Sequence, residues 1–230
     1  MFLDFIYPKK CLGCGRAGGY FCSDCLNLIS LDPARICPVC ERPALGGFTH
    51  PGCLSSYSLD GFTAVFAYRG LIKKAIKKLK YKFVSDLASD LVELFLSFCG
   101  EDKAFSHFCR QKEVFLVPIP LHPSRFRWRG FNQAELLGKM ITENLGITFL
   151  PDLLIRTKKT KPQVELSEEE RQKNIKDAFK INRDHKSFII NYQSLIIFDD
   201  VWTSGATLRE AAKVLKREGA KKVWGLTMAR

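Results

Sequence analysis

Residues 194–229, "SLIIFDDVWTSGATLREAAKVLKREGAKKVWGLTMA", decide the fold class. "SLIIF" (194–198) is a short apolar run and reads as a buried strand. "TLREAAKVLKREG" (207–219) reads as a helix and "KKVWGLTMA" (221–229) as a second strand. Between the first strand and the helix stand Asp199 and Asp200, then Thr203, Ser204, Gly205, Ala206 and Thr207. Such a loop leaves the carboxyl end of a strand, where open α/β sheets place their ligands. Backbone amides converge at the helix N-terminus and its dipole favours an anion. Gly205 permits a tight turn and the approach of a phosphate. The hydroxyls of Thr203, Ser204 and Thr207 can donate to phosphate oxygens. The two acids need a different partner, either ribose hydroxyls or a Mg2+ that bridges to a second phosphate. Trp202 either stacks on a ligand or shields the loop.

The alternation of strand and helix continues upstream. "FTAVFAY" (62–68) and "EVFLVPIP" (113–120) read as strands, and 85–99 and 129–146 as helices closed by their own signals, Ser85 as a cap and Gly146 as a stop. "EEERQKNIKDAF" (168–179) is a short polar helix or a loop. This predicts an α/β domain over 59–230. In "LIKKAIKKLKYKF", Leu71, Ile72, Ala75, Ile76, Leu79 and Phe83 share a helical face. Six lysines fill ten residues beside them without one acid, among them Lys73, Lys77 and Lys80. That face is either solvated or able to track a phosphate backbone.

Residues 1–58 differ in kind. Seven of the nine cysteines fall in the first 53 residues. They form the pairs Cys11/Cys14, Cys22/Cys25 and Cys37/Cys40, with His50/Cys53 as a fourth pair. Two-residue gaps let both side chains reach one metal, and four tetrahedral Cys or His ligands are what zinc takes. The simplest pairing is sequential: Cys11, Cys14, Cys22 and Cys25 on one ion, Cys37, Cys40, His50 and Cys53 on another. A cross-braced pairing satisfies the same spacing. So few apolar residues build little core, so one or two structural zinc ions would supply much of the folding energy.

The formal net charge is +12, which favours polyanionic partners such as nucleic acid. No apolar run is long enough to span a membrane. "MFLDFIYPKKCLGC" lacks a basic n-region and a long apolar stretch, so a cytoplasmic protein without a signal peptide or membrane insertion is expected.

The stretch "IIFDDVWTSGATL" resembles the phosphoribosyl pyrophosphate (PRPP) motif of type I phosphoribosyltransferases. With the cysteine-pair ribbon, "PIPLHPSRFRWRGFNQAELLGK" and "RTKKTKPQVELSEEERQKNIKDAF", nearly the whole chain is similar to the ComF family of competence proteins. The resemblance implies a phosphoribosyltransferase-like parallel sheet with helices on both faces, preceded by a small zinc-ribbon domain. It implies PRPP held with Mg2+ by Asp199, Asp200 and Thr203–Thr207, the acids being the catalytic candidates. It also implies a second loop, "LHPSRFRWRG", in which Ser124, Arg125, Arg127 and Arg129 meet diphosphate oxygens, Arg being suited to bidentate phosphate contacts. Asn132 either caps the next helix or touches ligand. "RTKKTKPQVELSEEERQKN" falls where such enzymes carry a hood, with Arg156, Lys158, Lys159 and Lys161 basic and Gln163, Arg171 and Asn174 matching the family pattern; Gln163 either reads a base or packs against the loop.

For function, the resemblance implies handling of incoming single-stranded DNA in natural transformation, beside a helicase partner. Lys73, Lys77, Lys80, Arg127 and Arg129, with aromatics interleaved in "RFRWRGF", suit a single strand. A Mg2+-dependent phosphoribosyltransferase is the alternative, and a binding module gated by PRPP is a third reading. No residue set names a base or amine acceptor.

Overall fold

The computed structural model describes residues 9–31, 34–81, 85–160, 167–182, 184 and 194–230. Lys82, Phe83, Lys161 and Gln163 lie outside the described residues. In chain order the elements are Ser23–Leu26 (α1), Gly61–Phe66 (β1), Gly70–Tyr81 (α2), Ser85–Cys99 (α3), Lys103–Cys109 (α4) and Val114–Pro118 (β2). Then come Pro123–Arg129 (α5), Gln133–Leu145 (α6), Thr148–Phe149 (β3), Leu154–Arg156 (β4) and Glu168–Ile175 (α7). Phe179–Ile181 (β5), Ser194–Val201 (β6), Ala206–Arg217 (α8) and Lys222–Ala229 (β7) complete the described chain.

Five strands form one parallel sheet in the order β1-β7-β6-β2-β3. From β2 the chain moves outward to β3, and from β6 it moves the other way to β7. The gap between the carboxyl ends of β2 and β6 is therefore the switch point, where the loops on either side diverge and leave a crevice. The pairing Pro118↔Phe198 brings the two segments singled out in the sequence, 119–132 and 199–207, to that crevice.

Both faces of the sheet are covered, which is why β6 reads as continuous apolar sequence rather than as an alternation. Ile196 and Phe198 pack on one side with Ile72 and Leu79 of α2, Leu91 of α3 and Leu137 of α6. Leu195 and Ile197 pack on the other with Leu208, Ala211, Ala212 and Leu215 of α8, and with Leu154 and Phe179 of the β4–β5 antiparallel pair. The α8 residues recur at helical spacing, so the polar remainder faces outward.

The helix expected over 129–146 is shorter. Gly130, at φ +83, ends a separate helix α5, and Asn132 then caps α6 by accepting the Ala134 amide at 3.2 Å while donating to Ile119 O at 3.0 Å. Gly146, at φ +66, closes α6 as expected. Strand β6 runs three residues past the predicted 198, so both acids belong to the sheet.

The cysteine-rich segment shields the edge of the sheet. Leu31 bridges Phe66 and Phe48 bridges Gly61, both antiparallel, so β1 presents no free edge over these positions. Beneath, Arg35 pairs with the buried Asp102 at 3.2 Å, Asp102 accepts from Thr63 at 2.9 Å, and Thr63 accepts from the Trp224 indole at 3.1 Å. Gly61 leaves the room that the Trp224 ring fills, because a Cβ there would lie 2.3 Å from that ring. Gly61→Ala is expected to destabilise the zinc-loaded chain by about 1–3 kcal/mol, read as a lower urea midpoint; an unchanged midpoint would contradict this packing.

Candidate functional site

The cysteine pairs gather as two groups, Cys11/Cys14/Cys22/Cys25 and Cys37/Cys40/His50/Cys53, with all ligand atoms in each within 4.8 Å of one another. This is the sequential pairing. Cys14 and Cys22 sulfurs lie 3.7 Å apart, close to the edge of about 3.8 Å that a tetrahedron of zinc–thiolate bonds requires. His50 presents Nδ1 to Cys40 Sγ at 3.4 Å, while its Nε2 sits 3.0 Å from Pro43 O. That carbonyl orients the ring, as outer partners of metal-bound histidines do. Hydrogen bonds from the Arg42 side chain and backbone pull the Cys40 thiol down to about 6, toward the thiolate that a metal takes. The donor sets fit zinc in the structural, closed manner.

The two knuckles repeat one backbone design. Cys11 N bonds Arg16 O at 2.8 Å and Gly15 N bonds Cys11 O at 2.9 Å; Cys37 N bonds Arg42 O and Glu41 N bonds Cys37 O, both at 2.9 Å. The fifth position is left-handed in each, Gly15 at φ +80 and Glu41 at φ +58.

At the switch point, alternation along β6 aims Asp199 and Asp200 at opposite faces of the sheet. Asp200 is buried and pairs with Lys80 of α2, Nζ to Oδ2 2.8 Å. Lys80 therefore leaves the solvated lysine face to which its spacing assigned it; Lys73 and Lys77 remain exposed there. Asp200 raises the Lys80 pKa despite the opposing effect of burial. Asp199 feels the field of Arg156, a side chain only 7% exposed that donates to Thr160 Oγ1 at 2.6 Å. Burial first, and the Asp200 charge second, push the Asp199 carboxyl up to about 7 against the pull of Lys80 and Arg156. Burial and the nearby Arg125 bring Arg156 down to about 10. Arg125 itself donates to Thr160 O at 3.0 Å.

The loop after β6 is fixed from below. Gly205 adopts φ +64, and a Cβ there would lie 2.0 Å from the Trp202 indole. Trp202 is 3% exposed and packs against Phe62, ring centroids 4.1 Å apart and tilted by 40°, so it shields the loop from the core side rather than presenting a face to ligand. Ser204 is buried and its Oγ has no hydrogen-bond partner among the described residues, nor has Arg156 Nε. Ala206 begins α8, Thr203 is exposed and Thr207 half-buried.

The segment expected as a second phosphate loop is helix α5, entered by Pro123 and capped by His122, whose Nδ1 lies 2.8 Å from Ser124 Oγ. Helical turns separate its arginines. Arg125 is held at Thr160, Arg129 donates to Gln133 Oε1, and Arg127 is exposed beside Phe126 and Trp128, 45% and 71% exposed. Arg171 and Asn174 sit three apart on α7, both half-buried. Sequence reasoning missed the pairing of Lys80 with Asp200 and the contacts of Arg209 in α8 with Pro38 and Glu41, since these partners are remote in the chain. Among the described residues no helix is long and apolar enough to cross a membrane.

Residues 2–54 match a double zinc ribbon domain family. The chain is 37% identical over 212 residues to Competence protein F of Haemophilus influenzae, covering 90% of each. It is 30% identical over 209 residues to the DNA utilization protein YhgH of Escherichia coli K12, covering 89% of this chain and 88% of the relative. Against Competence protein ComFC of Bacillus subtilis the identity is 26% over 223 residues, covering 91% and 83%.

Because the folded-state carboxyl of Asp199 titrates at about 7 rather than 3.8, the folded chain holds a proton that the unfolded chain releases, and stability falls as pH rises through that interval. Asp199→Asn removes the penalty. Its melting temperature should exceed that of the wild type by a margin that grows from about pH 5.5 to about pH 8. A margin that is constant or shrinks with pH would contradict the assigned environment.

Proposed function

The chain belongs to the ComF family of competence proteins, and on that premise we propose that it acts in DNA uptake as a PRPP-binding protein that handles incoming single-stranded DNA in the cytoplasm beside a helicase partner. Relatives named for competence and for DNA utilization, similar over about 90% of their length, support the cellular role. The observation that carries the ligand reading is the composition of one crevice. A glycine-turned helix N-terminus, in which the buried Ser204 hydroxyl has no partner among the described residues, stands next to two carboxylates already faced by Lys80 and Arg156. An anion fits the first part. Sugar hydroxyls and a cation fit the second, and a phosphorylated ribose has both.

The residues are suited to divided tasks. Amides and hydroxyls of Thr203–Thr207 hold the 5-phosphate, and Asp199 and Asp200 accept from ribose hydroxyls. Mg2+ would share the same carboxylate oxygens and neutralise the diphosphate; Asp200 is capped by Lys80, so the cation is suited to arrive with the ligand. Arg127 is the arginine of α5 most open to a diphosphate or to DNA.

The DNA reading rests on the exposed Lys73 and Lys77 of α2 and on exposed Phe126 and Trp128 of α5, a basic track with stacking surfaces. Lys80 joins the two sites, since the helix that carries the exposed lysines also reaches Asp200. A PRPP ligand that draws Asp200 away would free Lys80 toward that face.

Calorimetry with PRPP and Mg2+ tests the ligand. Asp199→Ala with Asp200→Ala should weaken binding about tenfold or more; no binding by the wild type would overturn the reading. Pyrophosphate release with a panel of bases would instead point to transfer. For DNA, Lys73→Gln with Lys77→Gln should flatten the salt dependence of single-strand binding by a slope of about 1.4. An unchanged slope would remove α2 from the interface.

A further inference from the structure

One side chain, Arg209 of α8, touches both the second zinc knuckle and the loop after β6. Its Nη1 donates to Pro38 O at 2.9 Å and to Glu41 Oε1 at 3.1 Å, and its Nη2 donates to Ser204 O. Its guanidinium lies 5.5 Å over the Trp202 ring. Pro38 sits inside the Cys37/Cys40 pair and Glu41 directly follows it. A planar fork is the group that can hold a knuckle carbonyl and a loop carbonyl together, which a lysine point charge cannot. A second observation points the same way. At the left-handed position of the repeat the first knuckle uses Gly15, whereas the second uses Glu41. A non-glycine residue there costs about 1–2 kcal/mol, and its carboxylate is the one that binds Arg209.

Packing supports the direction of the coupling. Ile36, beside the second knuckle, shares a buried cluster with Phe62 and Trp202. On the other flank a cavity of about 660 Å3 opens between Val39 and Glu41 of the knuckle and Gln172 and Ile175 of α7, with Ala206 and Arg209 of α8 in its wall. The first knuckle packs elsewhere, with buried Cys11 and Cys25 against Leu71 of α2.

We propose that Arg209 is a positioning residue that clamps the loop after β6 to the second zinc knuckle, so that the second zinc ion, and not the first, sets the geometry of residues 202–207. The bearing of this clamp on the ligand rests on the PRPP reading, but the clamp itself does not.

Amide hydrogen exchange on the full, ligand-free chain tests it. Four proteins are compared: wild type, Arg209→Ala, Cys53→Ser to remove a ligand of the second site, and Cys22→Ser to remove one of the first. Arg209→Ala and Cys53→Ser should speed exchange over 202–208 about tenfold or more while β6 stays protected, and Cys22→Ser should leave it within about twofold. Wild-type exchange in Arg209→Ala, or equal loosening by Cys22→Ser, would overturn the clamp. If Arg209→Ala loses protection in β6 as well, Arg209→Lys carries the comparison. Protection lost at 202–208 with β6 intact supports the clamp, and protection kept there overturns it. The exchange is read without PRPP and PRPP affinity separately by calorimetry, so a loop that stays rigid in Arg209→Ala alongside normal wild-type PRPP affinity would remove only the clamp, and a loosened loop in a chain whose wild type binds no PRPP would remove only the ligand reading.

Discussion

Two adjacent carboxylates at the end of a buried parallel strand impose the constraint on which the site depends. Charge in that setting must be matched. Asp200 is matched by Lys80, and Asp199 by the field of Arg156. Lys80 comes from a helix after β1 and Arg156 from the short β4 that follows β3, with Arg125 of α5 beside Arg156. The acids therefore draw two separate parts of the chain to one crevice. Burial first, and the neighbouring Asp200 charge second, outweigh Lys80 and Arg156, so Asp199 holds its proton up to about 7. A ligand that brings its own hydroxyls and cation would complete the charge match.

The elements were legible where one physical signal dominated. β6 and α8 followed from an apolar run and a helical stripe, and the zinc groups from two-residue gaps that only a tight turn explains. Helix α5 replaces the expected phosphate loop, and its signals are in the sequence: Pro123 at the first position and Gly130 just past the end are a start and a stop. Three closely spaced arginines resemble a phosphate loop as much as a helix face. Lys80 illustrates a deeper limit. Its spacing places it next to Leu79 at the border of the apolar stripe, and nothing local says that a carboxylate from β6 will meet it. Arg209 reads as the polar face of α8, and its two acceptors in the zinc knuckle, Pro38 O and Glu41 Oε1, lie in another part of the sequence altogether. The sequence admits two roles for Trp202, because only the packed Phe62 and the left-handed Gly205 decide which way the indole turns.

The two ribbons share a backbone plan but not a neighbourhood. The first leans on α2, which carries the exposed lysines. The second lines the edge strand β1 and reaches through Arg35 to Asp102 and through Arg209 to the loop after β6. Metal in the second site would thus stabilise more than its own knuckle, since the sheet edge and the loop after β6 are attached to it.

The account stands most directly on where a phosphorylated ribose would lie. A crystal structure of the zinc-loaded chain with PRPP and Mg2+ measures it. The account predicts the 5-phosphate on the amides of residues 203–207, the ribose hydroxyls on the Asp199 and Asp200 carboxylates, and Lys80 displaced from Asp200. PRPP bound away from the carboxyl ends of β2 and β6, or a crevice that stays closed by the Lys80–Asp200 pair at saturating ligand, would contradict it.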